Sequence, residues 1–293
     1  FSRGERAHDP ARYSFSSGGD NPIYDGMFEA ALLSTGASIV AAERVAEGRS
    51  EVAFNISGGL HHAASGHASG FCVFNDPVVA INHLLSKGMR VAYVDIDVHH
   101  GDGVQDAFYE TDQVLTISVH ESGRFLFPGT GSVEEAGRGA GKGYSVNLPL
   151  YPYTGDDTYL GAFREVVPPL IQAFKPDVLV TQLGVDSYYN DPLAHLLLTS
   201  RGFGEAVKEF DRMGLPWVAL GGGGYDIAAV ARCWTIAYGI MVGREWPEEI
   251  PAPLQDTHPS GRLWDAEMPL QVSEGRVQEA SNFAQSSVEE VKR

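Results

Sequence analysis

Six short apolar runs, five of them closed by a cluster of polar or glycine residues, constrain this chain more than any other feature. The runs span Val52 to Ile56, Val91 to Ile96, Val114 to Val119, Tyr144 to Leu148, Val178 to Leu183 and Trp217 to Leu220. They are continuous rather than alternating, which is the pattern of strands buried on both faces. Between them the periodicity predicts helices near 25–47, 76–87, 157–174, 200–213 and 226–242. In the last of these, Ile227, Val230, Ala231, Trp234, Ala237, Tyr238 and Met241 share one stripe, and Asp226 is placed as the N-cap. Helices alternating with such strands imply an α/β chain with a single, mostly parallel sheet covered on both faces. No repeat or low-complexity linker interrupts it before about Trp246, after which Pro247, Pro251, Pro253 and Pro259 mark an irregular tail. Residues 1–293 therefore read as one domain, with 246–293 a tail whose helix-like stretch, 272–291, has no assigned role.

Composition excludes several classes of function. Thirty-eight acidic against twenty-one basic residues give a net charge of -17, which opposes a grip on nucleic-acid phosphates. No run could span a bilayer, and no secretory signal opens the chain, so neither nucleic acid nor membrane is an expected partner. Cys72 and Cys233, in apolar helical or strand-like settings without CxxC spacing, fit a reduced, cytoplasmic protein.

The polar clusters carry the chemistry. SGGLHHA follows the first run, DVHHGDG the second, HESG the third, LGVDSYYND the fifth and GGGGY the sixth. In an open parallel sheet, ligands bind beyond the carboxyl ends of the strands, so these clusters would meet in one crevice. Seven of the ten histidines fall between positions 61 and 120. On an extended strand end, Asp95, Asp97 and His99 would point to one side. Asp97 and His99, joined by Asp186 from another strand end, would make a three-ligand site with an open position for water, as catalytic zinc uses. A lone aspartate near a core is ordinarily a satisfied structural group; Asp-x-Asp-x-His with a matching distant Asp is not so easily dismissed. The pair His61 and His62 follows a Gly-Gly break, and Asp95 and Asp102 could each accept from one imidazole. GGGGY matches neither GxGxxG nor GxxxxGK[ST]; its use is to deliver the Tyr225 hydroxyl to a developing oxyanion.

Taken in order, SGGLHHA, ASGFCVFND, YVDIDVHHGDGVQDAF, FLFPGTG, QLGVD and GGGGYD resemble the histone-deacetylase superfamily, and within it the bacterial acetoin-utilisation branch. The resemblance covers roughly residues 20–245. It implies the arginase/deacetylase fold, a parallel sheet of about eight strands flanked by helices. It implies hydrolysis of the acetyl amide of acetyl-lysine in proteins, an acyl-CoA synthetase being one expected substrate, with Zn2+ (or Fe2+) held by Asp97, His99 and Asp186. By the same resemblance His62, oriented by Asp102, is the general base and acid; His61, backed by Asp95, is its electrostatic partner; and Tyr225 polarises the carbonyl. Gly70 with Phe71, and Phe127, resemble the walls of a tunnel for the lysine stem, with Leu193 at its edge. Structural K+ is implied at two sites, one at Asp95, Asp97, His99, Ser118 and Val119, the other at Phe108, Thr111, Val114 and Tyr144.

Departures from the family pattern limit what carries over. The family's opening strand and a rim loop have no counterpart, which leaves six strands and the rim residue that contacts the substrate backbone unnamed. Asp226 stands where the eukaryotic enzymes often carry Asn or His. An acetylpolyamine amidohydrolase is the alternative within the superfamily, although its long site-narrowing loop has no match. An arginase-like enzyme would need a DxDxxD pattern that is absent, since the next carboxylate after Asp186 is Asp191. An inactive acyl-lysine binding module would have lost a ligand or the tyrosine, and every such position is filled.

Overall fold

The computed structural model describes residues 9–257, 261–266 and 272–293. The six runs form six strands, β1 Val52–Asn55, β2 Val91–Asp95, β3 Val114–Glu121, β4 Ser145–Leu150, β5 Val178–Gln182 and β6 Trp217–Leu220. All pairings are parallel, in the order β1-β6-β5-β2-β3-β4. Successive residues of the central strands β2, β5 and β6 feed opposite cores. Val91, Tyr93, Val178 and Val180 join Ile81, Leu84 and Phe108 on one face. Ala92, Val94, Leu179 and Ala219 join Phe163, Phe203 and Phe210 on the other. Two buried faces explain why the runs do not alternate.

Among the described residues, seven α-helices cover the sheet: α1 Met27–Ala46, α2 Asp76–Ser86, α3 Asp102–Phe108, α4 Asp156–Phe174, α5 Ser200–Arg212, α6 Ile227–Met241 and α7 Glu274–Val291. Three carry side-chain N-caps, of which Asp226 is the one expected from the sequence. Asn75 Oδ1 accepts from Val78 N at 3.1 Å ahead of α2, the Thr199 hydroxyl caps α5, and Asp226 Oδ1 accepts from Ala229 N at 3.1 Å ahead of α6. The stripe expected on α6 holds in part: Ala237 is buried and Val230, Trp234 and Met241 pack against the core, whereas Ala231 and Tyr238 are exposed. The buried residues are Ala229, Arg232, Cys233, Ile236, Ala237 and Gly239, whereas Ile227 is 85% exposed. Small residues, Ala229, Cys233 and Ala237, let the helix lie close to its neighbours. Cys72 also departs from expectation, lying in a loop rather than in a helix or strand; both cysteines are buried free thiols.

The tail is part of the packing. Helix α7 packs on β4 and α4, burying Ala280, Ala284 and Val288, and the Ser287 hydroxyl donates to Pro149 O at 2.8 Å. It thereby shields an edge strand. The 261–266 stretch is held by a buried ion pair, Arg232 Nη2 to Asp265 Oδ1 at 2.6 Å. Among the described residues, no helix is long and apolar enough to cross a membrane.

After β2 the chain moves outward through β3 to β4 and then returns to the other side of β2 as β5. That reversal makes the carboxyl ends of β2 and β5 the switch point, where a crevice must open. The segments 95–102 and 182–191 emerge at that point.

Candidate active site

Beyond Asp95 the chain does not continue as a strand, so the expected alternation of Asp95, Asp97 and His99 on a strand end is corrected. Asp95 Oδ1 accepts from Asp97 N at 3.1 Å, and Asp97 Oδ1 accepts from His99 N at 3.0 Å. These successive Asx turns, each side chain bonding the backbone two residues on, coil the segment and bring the side chains together.

Asp97, His99 and Asp186 converge, with one ligand atom from each lying within 4.8 Å of the others, and all three residues are buried. The outer oxygens are engaged elsewhere. Asp97 Oδ2 accepts from Gln182 Nε2 at 2.6 Å and from Gly223 N at 2.8 Å, and Asp186 Oδ1 accepts from Val98 N at 2.8 Å. Asp97 Oδ1 and Asp186 Oδ2 are thus left facing His99 Nδ1, both at 3.1 Å. Burial pushes the His99 pKa down, but its hydrogen bonds to Asp186 and Asp97 outweigh that and raise it to about 11. Burial and the Asp97 charge push the Asp186 carboxyl up. Two buried carboxylates aimed at one point demand positive charge there. Two oxygens and an imidazole nitrogen, oriented by outer hydrogen bonds, fit a divalent ion of the zinc type.

Two carboxylate-backed histidines lie beside this group. His61 Nδ1 meets Asp95 Oδ2 at 2.7 Å, His62 Nδ1 meets Asp102 Oδ1 at 2.7 Å, and the two Nε2 atoms are 3.0 Å apart. Their environments separate them. Burial lowers the His61 pKa, but Asp95 and Asp97 overcome it and bring it to about 9. Burial lowers His62 to about 4, the His61 charge adding to the fall and Asp102 compensating only in part. His61 thus keeps a second proton and His62 presents a neutral, proton-accepting ring. The loop that carries the pair is clamped by the start of α2. Asp76 accepts from Gly59 N at 3.0 Å and Leu60 N at 2.8 Å, and Asn75 Nδ2 donates to His61 O and Ala63 O, both at 3.0 Å.

Tyr225 follows the four-glycine segment, and one of those glycines is sterically required. A Cβ on Gly223 would collide with the carboxylate oxygens of Asp186 and Asp97. The Tyr225 pKa is raised, first by burial and then by Asp97 and Asp186, so the hydroxyl remains a donor. The Phe71 ring meets Tyr225 edge-on at 5.9 Å, and the Phe127 ring meets His62 at 5.0 Å. Phe71, Phe127 and Leu193 are 53%, 43% and 43% exposed. Gly70 sits between His62 and Phe127, where a side chain would strike the imidazole.

The residues expected around K+ fall in two groups. Asp95 lies opposite Ser118 across the β2/β3 ladder, with Val119 next in β3. Phe108, Thr111, Val114 and Tyr144 lie toward the other end of β3, where Thr111 N donates to Phe108 O at 3.3 Å and Thr116 N to Tyr144 O at 2.9 Å. Two more of the clustered histidines are structural: His100 bonds Thr130 Oγ1 at 2.8 Å and His120 bonds Gly131 O at 3.0 Å, fastening the loop that follows Phe127. Sequence reasoning misses Gln182, Asn75, Asp76 and Asp191, each of which holds a site residue or its backbone. Their one available signal is position, immediately before or within the segments at the strand ends.

A three-ligand group with two carboxylate-backed imidazoles at the switch point of a parallel sheet is the donor set of metal-dependent hydrolases. Comparison with known proteins gives the family. Residues 2–241 match the histone deacetylase domain. Histone deacetylase 1 of Homo sapiens is 43% identical over 256 residues, covering 86% of this chain and 53% of that protein. The acetoin utilization protein AcuC of Bacillus subtilis (strain 168) is 46% identical over 241 residues, 78% of this chain and 62% of that one. The crystal structure of an HDAC homologue from Aquifex aeolicus superposes with a TM-score of 0.87 at 34% identity, over 98% of this chain and 79% of that one. A similar structure, of an HDAC homologue complexed with SAHA, has a TM-score of 0.86. The chain belongs to the histone deacetylase family, and it spans about half the length of several curated relatives it matches.

Proposed function

We propose that this chain hydrolyses the acetyl amide of acetyl-lysine in proteins, with Zn2+ held by Asp97, His99 and Asp186. The observation that carries the reading is the convergence of those three buried ligands beside two histidines of opposite proton affinity. The ion, when bound, polarises the amide carbonyl and activates water. His62 Nε2 takes the proton from the attacking water and returns one to the leaving lysine amine, while Asp102 holds its other nitrogen. His61, held protonated by Asp95, supplies positive charge beside it. Tyr225 donates to the carbonyl oxygen as it gains charge. Phe71 and Phe127 flank the lysine stem, each buried CH2 contributing up to ~0.8 kcal/mol. K+ at the two sites named above would brace the loop from Asp95 to His99 and the start of β3. The packing of α7 on β4 and α4 supports treating the tail as part of the same domain.

The buried thiols and the likeness to AcuC support a cytoplasmic protein, and that likeness supports a metabolic substrate such as an acyl-CoA synthetase. The deciding experiment compares kcat/KM on an acetyl-lysine peptide and on acetylputrescine, with and without a chelator. Chelator-sensitive preference for the peptide is expected. Preference for the polyamine would make the chain an acetylpolyamine amidohydrolase, and binding without turnover would make it an acyl-lysine reader.

A further inference from the structure

The segment that carries Tyr225 has little side-chain anchorage on either side. Four glycines precede it, and α6 follows from Ile227, which is 85% exposed. Its hold on the rest of the protein comes through neighbouring backbone and carboxylates. Asp191, 7% exposed, accepts from Tyr225 N through Oδ2 at 2.8 Å and from Leu193 N through Oδ1 at 2.9 Å. The preceding residue repeats the link in the opposite sense, Asn190 Nδ2 donating to Asp226 Oδ2 at 2.9 Å. Two consecutive residues of the loop that follows β5 therefore grip the two consecutive residues that lead into α6. A buried carboxylate spent on main-chain N–H groups is costly unless the geometry it fixes is needed.

We propose that Asp191 is a positioning residue for Tyr225, one carboxylate fastening the backbone under the oxyanion donor to the backbone under the rim residue Leu193. The inference rests on the acetyl-lysine hydrolase reading for the task it gives the hydroxyl. Its geometry has two consequences. The direction of the Tyr225 ring depends on a residue that touches neither substrate nor metal. Displacement of the rim at Leu193 is passed through Asp191 to the donor, so occupancy of the rim and competence of the donor are linked.

A double-mutant cycle on the zinc-loaded protein tests this. Asp191→Asn keeps the shape but turns one accepting oxygen into an NH2 group facing a main-chain N–H. It should lower kcat roughly 10–100-fold with KM and zinc affinity nearly unchanged, since a lost donor costs up to about 10²–10³ in kcat. Added to Tyr225→Phe, it should lower kcat no further, because groups acting through one another are not additive. Asp191→Ser, which can still accept one hydrogen bond, provides a second variant for the same cycle. Additive losses, or an unchanged kcat in Asp191→Asn, overturn the proposal, as does an equal fall in zinc affinity, which would mark a purely structural role. If the wild type has no deacetylase turnover, the acetyl-lysine reading fails. The cycle is then read in SAHA dissociation constants, where non-additive weakening sustains the positioning role and additive or absent weakening overturns it. A wild type that neither turns over nor binds SAHA overturns both.

Discussion

His61 and His62 are sequence neighbours whose Nε2 atoms lie 3.0 Å apart, yet one is driven toward holding a proton and the other toward losing it. The difference lies behind the rings. Asp95, fully buried, also receives the Tyr93 hydroxyl at 2.6 Å and backs His61 with a charge that water does not reach, and Asp97 adds to it. Asp102 is partly exposed and backs His62 more weakly, and His61 itself repels a second positive charge. A pair of titratable groups pushed apart in this way marks an acid–base assignment.

Replacement of His62 by Ala should therefore lower kcat by ~10²–10⁴ while zinc remains bound, because His62 is not a ligand. Steady-state deacetylation and zinc titration of the same preparation check both halves. Near-normal turnover would reject the role.

Zinc should stabilise the fold as well as activate it. Asp97 and Asp186 hold two buried charges against each other, and an ion that binds only the folded chain adds RT ln(1 + [L]/Kd), about 2.7 kcal/mol at a hundredfold excess over Kd. The wild type should melt at a higher temperature with zinc than with chelator, and the gap should close in Asp186→Asn. Equal melting curves for the wild type with and without zinc would refute the assignment.

Much of this was legible in the sequence, and the failures have physical causes. The strands and the cluster of Asp97, His99 and Asp186 are visible because continuous apolar runs and Asp-x-Asp-x-His leave few other readings. Helix α3 escapes because it has only seven residues and begins inside the polar DVHHGDG cluster, with Val104 and Phe108 as its only large buried apolar side chains. The α6 stripe is right only in part, Val230, Trp234, Ala237 and Met241 meeting the core, because apolar size does not tell which residues lie against it. Ala229, Cys233 and Ala237 do so by being small, and Arg232 joins them only because Asp265, thirty-three positions on, supplies its counter-charge. Gln182, Asn75, Asp76 and Asp191 look like ordinary caps or loop residues until the fold shows what their hydrogen bonds hold.

Phe71 carries backbone strain on behalf of the rim. It and Gly70 are the two central residues of a tight turn between Ser69 and Cys72, with φ of 67° and 48°, and Cys72 N donates to Ser69 O at 2.8 Å. A phenylalanine in the left-handed region costs roughly 1–2 kcal/mol, against about 0.5–1 kcal/mol for the freedom a glycine loses on folding. Phe71→Gly should therefore leave stability unchanged or raise it by up to about 1 kcal/mol, while KM for an acetyl-lysine peptide rises roughly tenfold as one tunnel wall is lost. Urea unfolding and steady-state kinetics read the two effects separately. Destabilisation by more than about 1 kcal/mol would mean that packing of the ring outweighs the strain.

The buried pair Arg232–Asp265 makes the fold depend on a segment beyond the matched family domain. Asp265 Oδ1 receives Arg232 Nη2 at 2.6 Å and the Tyr188 hydroxyl at 3.2 Å, and Oδ2 receives Ser200 N at 2.8 Å, so one carboxylate joins α6, α5 and the loop after Asp186. Burial works against its charge, but the Ser200 N–H and Arg232 prevail and hold the carboxyl below its ordinary value. The folded state thus resists protonation more than the unfolded chain does. The contribution is complete above the unfolded carboxyl value of about 4 and is lost as the pH falls through it toward the lower folded value. Asp265→Ala removes the counter-charge that Asp265 gives Arg232, which is 4% exposed, and should cost roughly 3–5 kcal/mol at neutral pH. Asp265→Asn, which cannot titrate, should flatten the acid limb of the stability profile. Urea midpoints for wild type and Asp265→Asn, followed from neutral pH down to about pH 3, make the comparison, and parallel acid limbs for the two proteins would show that Asp265 is not the titrating group.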